Sequence, residues 1–268
     1  MERLDRNSPG AKMKRVALRG NASAPELGHR PDGRRVRSMF AGIAERYDFL
    51  NHALSLGVDR SWRRKTVHRA LSLDPALREG GRVLDLCTGT GDLAFAFEDE
   101  GCRVVGGDFC EAMLERGLSK RAKRKSEAAF LAADAMRLPF VDRSFDLACV
   151  GFGIRNVQNP LEGLREMHRI LRPGGIVLVL EFALPKGRVL RPLYSFYFHR
   201  ILPRIGSFLA RSRESAAAYR YLPESVRLFP EREAFLRLME GAGFTDGAFE
   251  LLSFGIAALY RGRKPEEG

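Results

Sequence analysis

The sequence predicts an α/β fold: a mostly parallel, seven-stranded sheet with helices on both faces. Three observations carry that expectation. Short apolar runs alternate with helix-length stretches from Arg82 onward, a run ending at Leu86 leads into a glycine-rich turn, and two closing runs can pair as an antiparallel hairpin. In chain order the strands are Val83–Leu86, Val104–Gly107, Phe130–Ala133, Phe145–Val150, Ile176–Phe182, Phe249–Ser253 and Ala257–Arg261. Helices are expected between them over Asp92–Glu100, Glu111–Arg124 and Leu161–Leu171, and again over Glu231–Gly241. Two more precede the sheet. Val36–Asp48 places Met39, Phe40, Ile43, Ala44 and Tyr47 on one face, and Arg60–Leu71 follows after a loop at Asn51–Asp59. The run Leu171–Gly175, with its Pro and two Gly, reads as a structural turn into the fifth strand.

The chain has 268 residues, of which 45% are hydrophobic and 29% charged, with a mean hydropathy of −0.22, within the range of globular domains and outside that of collagenous or disordered chains. No apolar run approaches the roughly 20 residues of a spanning helix. The first thirty residues hold no apolar signal core, so a secretory leader is not expected. Formal net charge is +12, and half of it comes from residues 1–38, which contain ten Lys or Arg against four Asp or Glu. Residues 1–35 are accordingly read as a basic, disordered tail and 36–264 as one domain, with cap helices at 36–72 and an aromatic, Pro-containing insertion at 185–230. Cys87, Cys102, Cys110 and Cys149 form no CxxC pair and sit at no zinc-finger spacing, so they read as reduced thiols in a reducing compartment, with no metal expected.

The chemistry is concentrated in Val83-Leu84-Asp85-Leu86-Cys87-Thr88-Gly89-Thr90-Gly91-Asp92, a strand, a glycine turn and a helix start, where backbone N–H groups can approach a ligand. The spacing Gly89-x-Gly91-x-x-Ala94, with Asp108 after the second strand, satisfies a dinucleotide fingerprint. Asp85 and Asp92 argue against a dinucleotide, because two carboxylates beside a pyrophosphate repel it by about 1 kcal/mol at 4 Å in water and by more in a drier site. A cationic ligand without phosphate reverses the sign, and Asp108 can still accept from ribose hydroxyls. Asp134 and Ala135, closing the third strand beside Leu138 and Phe140, suit an adenine ring.

These residues resemble the class I S-adenosylmethionine-dependent methyltransferases, through Asp85–Gly91, Asp108, Asp134-Ala135 and Leu171–Gly175. Further stretches look like signatures of the quinone C-methyltransferases that act on demethylmenaquinone and ubiquinone precursors: Met39-Phe40 to Tyr47-Asp48 with Asn51 and Trp62-Arg63, Phe152-Gly153-Ile154-Arg155-Asn156-Val157, and Tyr221-Leu222-Pro223-Glu224-Ser225. The resemblance spans Val36 to Lys264. It implies a Rossmann-like fold, S-adenosyl-L-methionine as cofactor, Thr90 and Asp108 as cofactor contacts, and Asp134 and Ala135 along its adenine. Asp85, Gly89 and Gly91 complete the expected cofactor set. Two family positions differ here: a Ser before the FGxRN stretch is Gly151, and a His near the C-terminus is Tyr260.

The activity implied is C-methylation of a prenylated quinol, demethylmenaquinol to menaquinol first and a ubiquinone-precursor benzoquinol as the alternative. An RNA or protein methyltransferase and a silent subunit of a quinone-synthesis assembly are the rivals. No nucleic-acid module is visible, and Gly151-Phe152-Gly153 stands where base N-methyltransferases carry an Asn/Asp-Pro-Pro-aromatic run. Arg155, Asn156 and Tyr47 are the catalytic candidates, stabilising the phenolate that makes the ring carbon nucleophilic. His199 is a weaker candidate for a proton acceptor, and His52 and His168 have no better case. The insertion over 185–230 reads as a lid, and its Tyr194–Ala210 stretch also suits an interfacial helix. A cytoplasmic location, peripheral contact with the membrane that carries the substrate, and a homodimer are open expectations.

Overall fold

The computed structural model describes residues 14–15, 31–48, 51, 55, 57–185, 192, 196, 200 and 213–266. Among the described residues eight strands form one sheet: β1 (Lys14–Arg15), β2 (Arg82–Leu86), β3 (Arg103–Asp108), β4 (Ala129–Ala132), β5 (Phe145–Gly151), β6 (Leu171–Phe182), β7 (Thr245–Leu252) and β8 (Ala257–Arg263). Their order is β1-β7-β8-β6-β5-β2-β3-β4. β2 to β6 run parallel, and β8 and β7 close the sheet antiparallel. The seven expected strands are therefore β2 to β8. The eighth, β1, comes from the basic N-terminal segment and pairs Lys14 with Phe249 and Arg15 with Ala248 on the outer edge of β7. Most of the expected tail lies outside the described residues.

Alternation along the strands divides the core into two layers. On β6, Val177 and Val179 face one side, packing with Leu164 and Met167 of α5 (Pro160–Ile170) and Phe235 and Met239 of α7 (Glu233–Gly241). Ile176, Leu178 and Leu180 face the other, against Trp62 and Val67 of α2 (Val58–Leu73) and Leu93 and Phe97 of α3 (Asp92–Glu98). Both faces are covered, as a parallel sheet of near-continuous apolar strands requires. α4 (Glu111–Arg124) connects β3 to β4. α1 (Gly33–Ile43) packs on α4 and on α6 (Arg213–Leu228).

Several boundaries differ from the sequence expectation for local reasons. α1 starts three residues early because the Asp32 carboxylate caps it, accepting from the backbone N–H of Arg34 and Arg35. It then tightens into a 3₁₀ turn over Ala44–Arg46 instead of running on to Asp48. The expected Leu171–Gly175 turn is part of β6: Leu171 already pairs with Phe145, and the register shifts between Phe145 and Leu147. β7 begins at Thr245, and Ser253 belongs to the turn after it. Within the expected lid, 213–228 form α6 with Pro223 inside the helix, while most of 186–212 lies outside the described residues.

Strand order reverses between β2 and β5, since β3 and β4 lie on one side of β2 and β5 and β6 on the other. Crevices for ligands open at such reversals, outside the carboxyl ends of the strands.

Candidate functional site

Two loops build the crevice. After β2, Gly91 takes φ of +86° and starts α3; a Cβ there would lie 2.6 Å from Cζ of Phe130, so only glycine lets the turn close. After β5, Phe152 has φ of +60°, and its N–H donates to the carbonyl of Leu180 at 2.7 Å. The Phe152 ring packs 4.5 Å from Phe182 and 5.8 Å from Trp62, centroid to centroid. This aromatic packing and the capture of its carbonyl by Arg155 hold a backbone conformation that costs an L-residue about 1–2 kcal/mol.

Between the loops lies a cavity of about 220 Å³. Its wall includes Gly89, Asp108, Asp134 and Ala135 on one side, Gly151, Phe152 and Asn156 on another, and Arg37, Phe40 and Tyr47 from the N-terminal segment. Six of the ten residues singled out in the sequence thus meet in one space: Tyr47, Gly89, Asp108, Asp134, Ala135 and Asn156.

Asp108 ends β3 and is buried. It accepts from the N–H of Gly89 at 2.9 Å and of Cys110 at 2.8 Å. Burial outweighs these bonds and pushes its carboxyl up to about 6. Asp134 uses one oxygen to accept from the Met136 N–H at 2.9 Å and remains exposed at the cavity edge. Asn156 is buried, and its Oδ1 has no hydrogen-bond partner. A buried acceptor without a donor costs about 1–3 kcal/mol, a cost the fold bears beside the cavity that Asn156 lines. Burial raises the Tyr47 hydroxyl above the ordinary tyrosine range, opposed by a hydrogen bond with the Asn51 side chain, so at neutral pH it is a donor and not a base.

The other four residues lie off the cavity wall. Asp85 is buried on the sheet face that carries α3, accepting from the Thr88 hydroxyl at 2.6 Å and held near the Cys149 thiol at 3.7 Å. Burial pushes it up to about 7, against the Thr88 bond and the Arg63 charge. Asp92 pairs with Lys120 and lies 3.9 Å from Arg63. The argument from two uncompensated carboxylates at the turn is therefore revised: Asp85 sits beneath it and Asp92 is paired, leaving Asp108 and Asp134 as the acids at the cavity. The Thr90 hydroxyl donates to Asp48, and Gly91 is covered by Phe130.

Arg155 is buried and paired with Glu181 at 2.7 Å, and its Nε reaches the Ser225 hydroxyl of α6 at 3.4 Å. Burial raises the Glu181 carboxyl, with Arg155 pulling it down. The guanidinium expected to face the substrate instead ties the loop after β5 to β6 and to the helix that follows the insertion. His168 is half-buried and packs edge-on against Phe244, and His52 and His199 lie outside the described residues. Gly151 lines the cavity. Tyr260 is buried far along β8, its hydroxyl accepting from the Arg232 N–H at 2.7 Å.

The sequence reading missed Arg37, Phe109, Met113 and Met136 on the cavity wall. Met113 and Phe109 flank the β3–α4 junction, and position after Asp108 was the available signal.

The model of the ubiE/COQ5 methyltransferase family matches residues 29–264. The chain belongs to that family. Curated relatives agree. It is 44% identical over 239 residues to the ubiquinone/menaquinone biosynthesis C-methyltransferase UbiE of Geobacter sulfurreducens, covering 87% of this chain and 89% of the relative. It is also 44% identical over 229 residues to the demethylmenaquinone methyltransferase of Thermus thermophilus, covering 85% and 100%. Among solved structures, the [4+2]-cyclase SpnF superposes with a TM-score of 0.57 at 19% identity, over 90% of this chain and 99% of that one. At that identity the likeness establishes the fold alone, and a cyclase on it shows that the fold does not dictate the reaction. The ubiE/COQ5 assignment therefore rests on sequence, and it makes this chain a methyltransferase. Among the described residues no cluster of His, Cys, Asp or Glu could hold a metal ion, and no helix is long and apolar enough to cross a membrane.

Proposed function

We propose that this ubiE/COQ5 methyltransferase transfers the methyl group of S-adenosyl-L-methionine to a ring carbon of a prenylated quinol, with demethylmenaquinol as substrate and menaquinol as product. The observation that carries this reading is one cavity lined together by a buried carboxylate, Asp108, by Asn156 and by the Phe152 aromatic wall.

The residues present fit the donor. Asp108 would accept from ribose hydroxyls, Asp134 and Ala135 would border the adenine beside Met136, and the Gly89 turn supplies close backbone approach. When bound, the donor supplies an electrophilic methyl on a sulfonium. The chain's own task is alignment and phenolate stabilisation, which hold the reacting atoms at about 3 Å. Asn156, on the cavity wall, orients the quinol through its side-chain amide. Tyr47, kept protonated by burial, donates toward developing oxygen charge. Arg155 acts from behind, fixing Phe152 through its carbonyl and lending positive potential to Tyr47.

The test is incubation with methyl-labelled S-adenosylmethionine and, separately, reduced demethylmenaquinol and a demethylated benzoquinol. Mass spectrometry locates the label. Label on the naphthoquinol ring supports the reading; label only on the benzoquinol moves the substrate to the alternative; no ring label on either, with the donor bound, overturns it.

The same proposal includes peripheral contact with the membrane that holds the substrate. Ala257 of β8 pairs with Phe182, so the β7–β8 turn lies at the carboxyl end of β6, the end that carries the cavity. Phe254 in that turn is 82% exposed, and α2 nearby carries exposed Arg60 and Arg64. An exposed aromatic with cations beside it suits an anionic lipid surface. Sedimentation with anionic vesicles should carry the protein down at low salt and lose most of it for Phe254→Ser; no sedimentation of the wild type rejects the contact.

A further inference from the structure

Lys120 lies on the last turns of α4, off the cavity wall, and the transfer chemistry assigns it nothing. Its ammonium donates to Asp48 Oδ2 at 2.9 Å, to Thr90 Oγ1 at 3.0 Å and to Asp92 Oδ1, using all three of its N–H bonds. The acceptors come from three different segments: the N-terminal stretch beyond Tyr47, the glycine turn and the first turn of α3. The Thr90 hydroxyl in turn donates a hydrogen bond to the other oxygen of Asp48.

A second arm runs from Asp92 past Arg63, which bonds Asp59, and on to Ser55, whose hydroxyl donates to Asp59 at 2.6 Å. Asp48 is therefore fastened to the glycine turn by Lys120 and Thr90, and Ser55 is linked through Asp59 and Arg63 toward Asp92 at the start of α3. Tyr47, next to Asp48, covers that turn: a Cβ on Gly89 would lie 3.7 Å from its ring.

We propose that Lys120 is a positioning residue, a clamp that holds Tyr47 and the N-terminal segment closed over the glycine turn, so that donor retention depends on its charge. The proposal rests on the functional reading only in taking S-adenosylmethionine as the ligand beneath that segment. Isolated pairs as exposed as these are worth little, and one cation shared among three acceptors is the geometry in which a half-exposed charge matters. It is also screened by salt, because its members remain in contact with solvent.

The test compares the wild type with Lys120→Met and Lys120→Arg. Calorimetric titration of S-adenosylmethionine at low and high sodium chloride gives the dissociation constant, and hydrogen exchange follows the backbone of Ala44 to Asp48. Lys120→Met should weaken donor binding by about tenfold at low salt, the scale of a lost charge-assisted hydrogen bond. The wild type should bind more weakly at high salt; Lys120→Met should abolish that dependence and speed exchange at Ala44–Asp48, while Lys120→Arg stays within about threefold. A merely structural lysine would lower the melting temperature and leave the salt dependence in place. Unchanged affinity, or a salt dependence that persists in Lys120→Met, overturns the clamp and leaves the functional reading standing; a wild type that binds no donor overturns both.

Discussion

Gly153 and Cys87 meet where the two site loops cross: a Cβ placed on Gly153 would lie 2.2 Å from Cβ of Cys87 and 3.0 Å from its sulfur. The loop after β5 and the loop after β2 thus touch backbone to side chain, and the cavity exists because nothing larger than hydrogen stands between them. Gly153 has φ of −115°, an ordinary value, so the demand is for space and not for backbone freedom. Gly153→Ala should push the loops apart, destabilise by about 1–3 kcal/mol as overpacking does, and cut turnover more than it cuts donor binding. Thermal melting and steady-state kinetics check this; an alanine variant with full activity would mean the loops are looser than they stand.

Asp108 gives a pH signature. Its carboxyl is pushed up to about 6 by burial from an unfolded value near 4, so the folded state holds this proton more tightly. Its contribution to stability is fully present below pH of about 4 and is lost as pH rises through about 6. Binding has the opposite slope, because the ionised form accepts ribose hydroxyls better. Donor affinity should climb as pH rises through about 6 and then level off, and Asp108→Asn should remove that inflection. Titrations across this range in both proteins measure it; a flat wild-type profile would show that Asp108 does not face the donor.

Asn156 offers a trade between stability and function. Its buried Oδ1 has no partner, so Asn156→Leu removes a group that folding leaves unsatisfied. The melting temperature should hold or rise while turnover falls by about 10²-fold or more, the scale of losing one oriented polar group in an active site. Joint loss of stability and activity would instead make Asn156 a structural residue.

Arg155 and Glu181 form a buried pair, and breaking either side strands a charge. Arg155→Leu alone should cost about 3–5 kcal/mol, whereas Arg155→Leu with Glu181→Leu should recover much of that loss. Chemical denaturation of the singles and the double closes the cycle. If the double recovers stability but not turnover, Arg155 serves the reaction by holding Phe152; if it recovers neither, the two side chains are not energetically coupled.

The parallel strands were legible because their apolar runs are short and bounded, and the glycine turn because positive φ at Gly91 has a compositional signature. The direction of Asp85 was not read, although period-2 alternation contains it. Leu84 and Leu86 belong to one core layer and Val83 to the other, so Asp85 points with Val83, away from the cavity that Leu86 lines. The partners of Arg155 and Thr90 were illegible for another reason: Glu181 lies 26 positions away and Asp48 lies 42 away, and single-sequence patterns carry no such pairing. The turn at Leu171–Gly175 was legible from its Pro and Gly: Gly174 takes φ of +73°, and this strand advances from Leu171 to Ile176 while its partner advances only from Phe145 to Leu147, although β6 as a whole runs from Leu171.

The central claim, that this cavity takes a methyl donor without phosphates, is tested most directly by titrating S-adenosylmethionine and, separately, NAD into the same protein by calorimetry at neutral pH, alongside Asp108→Ala. The account predicts saturable binding of S-adenosylmethionine, weakened by about 1–3 kcal/mol in Asp108→Ala, and no heat from NAD. Tight uptake of NAD with no response to S-adenosylmethionine would contradict it.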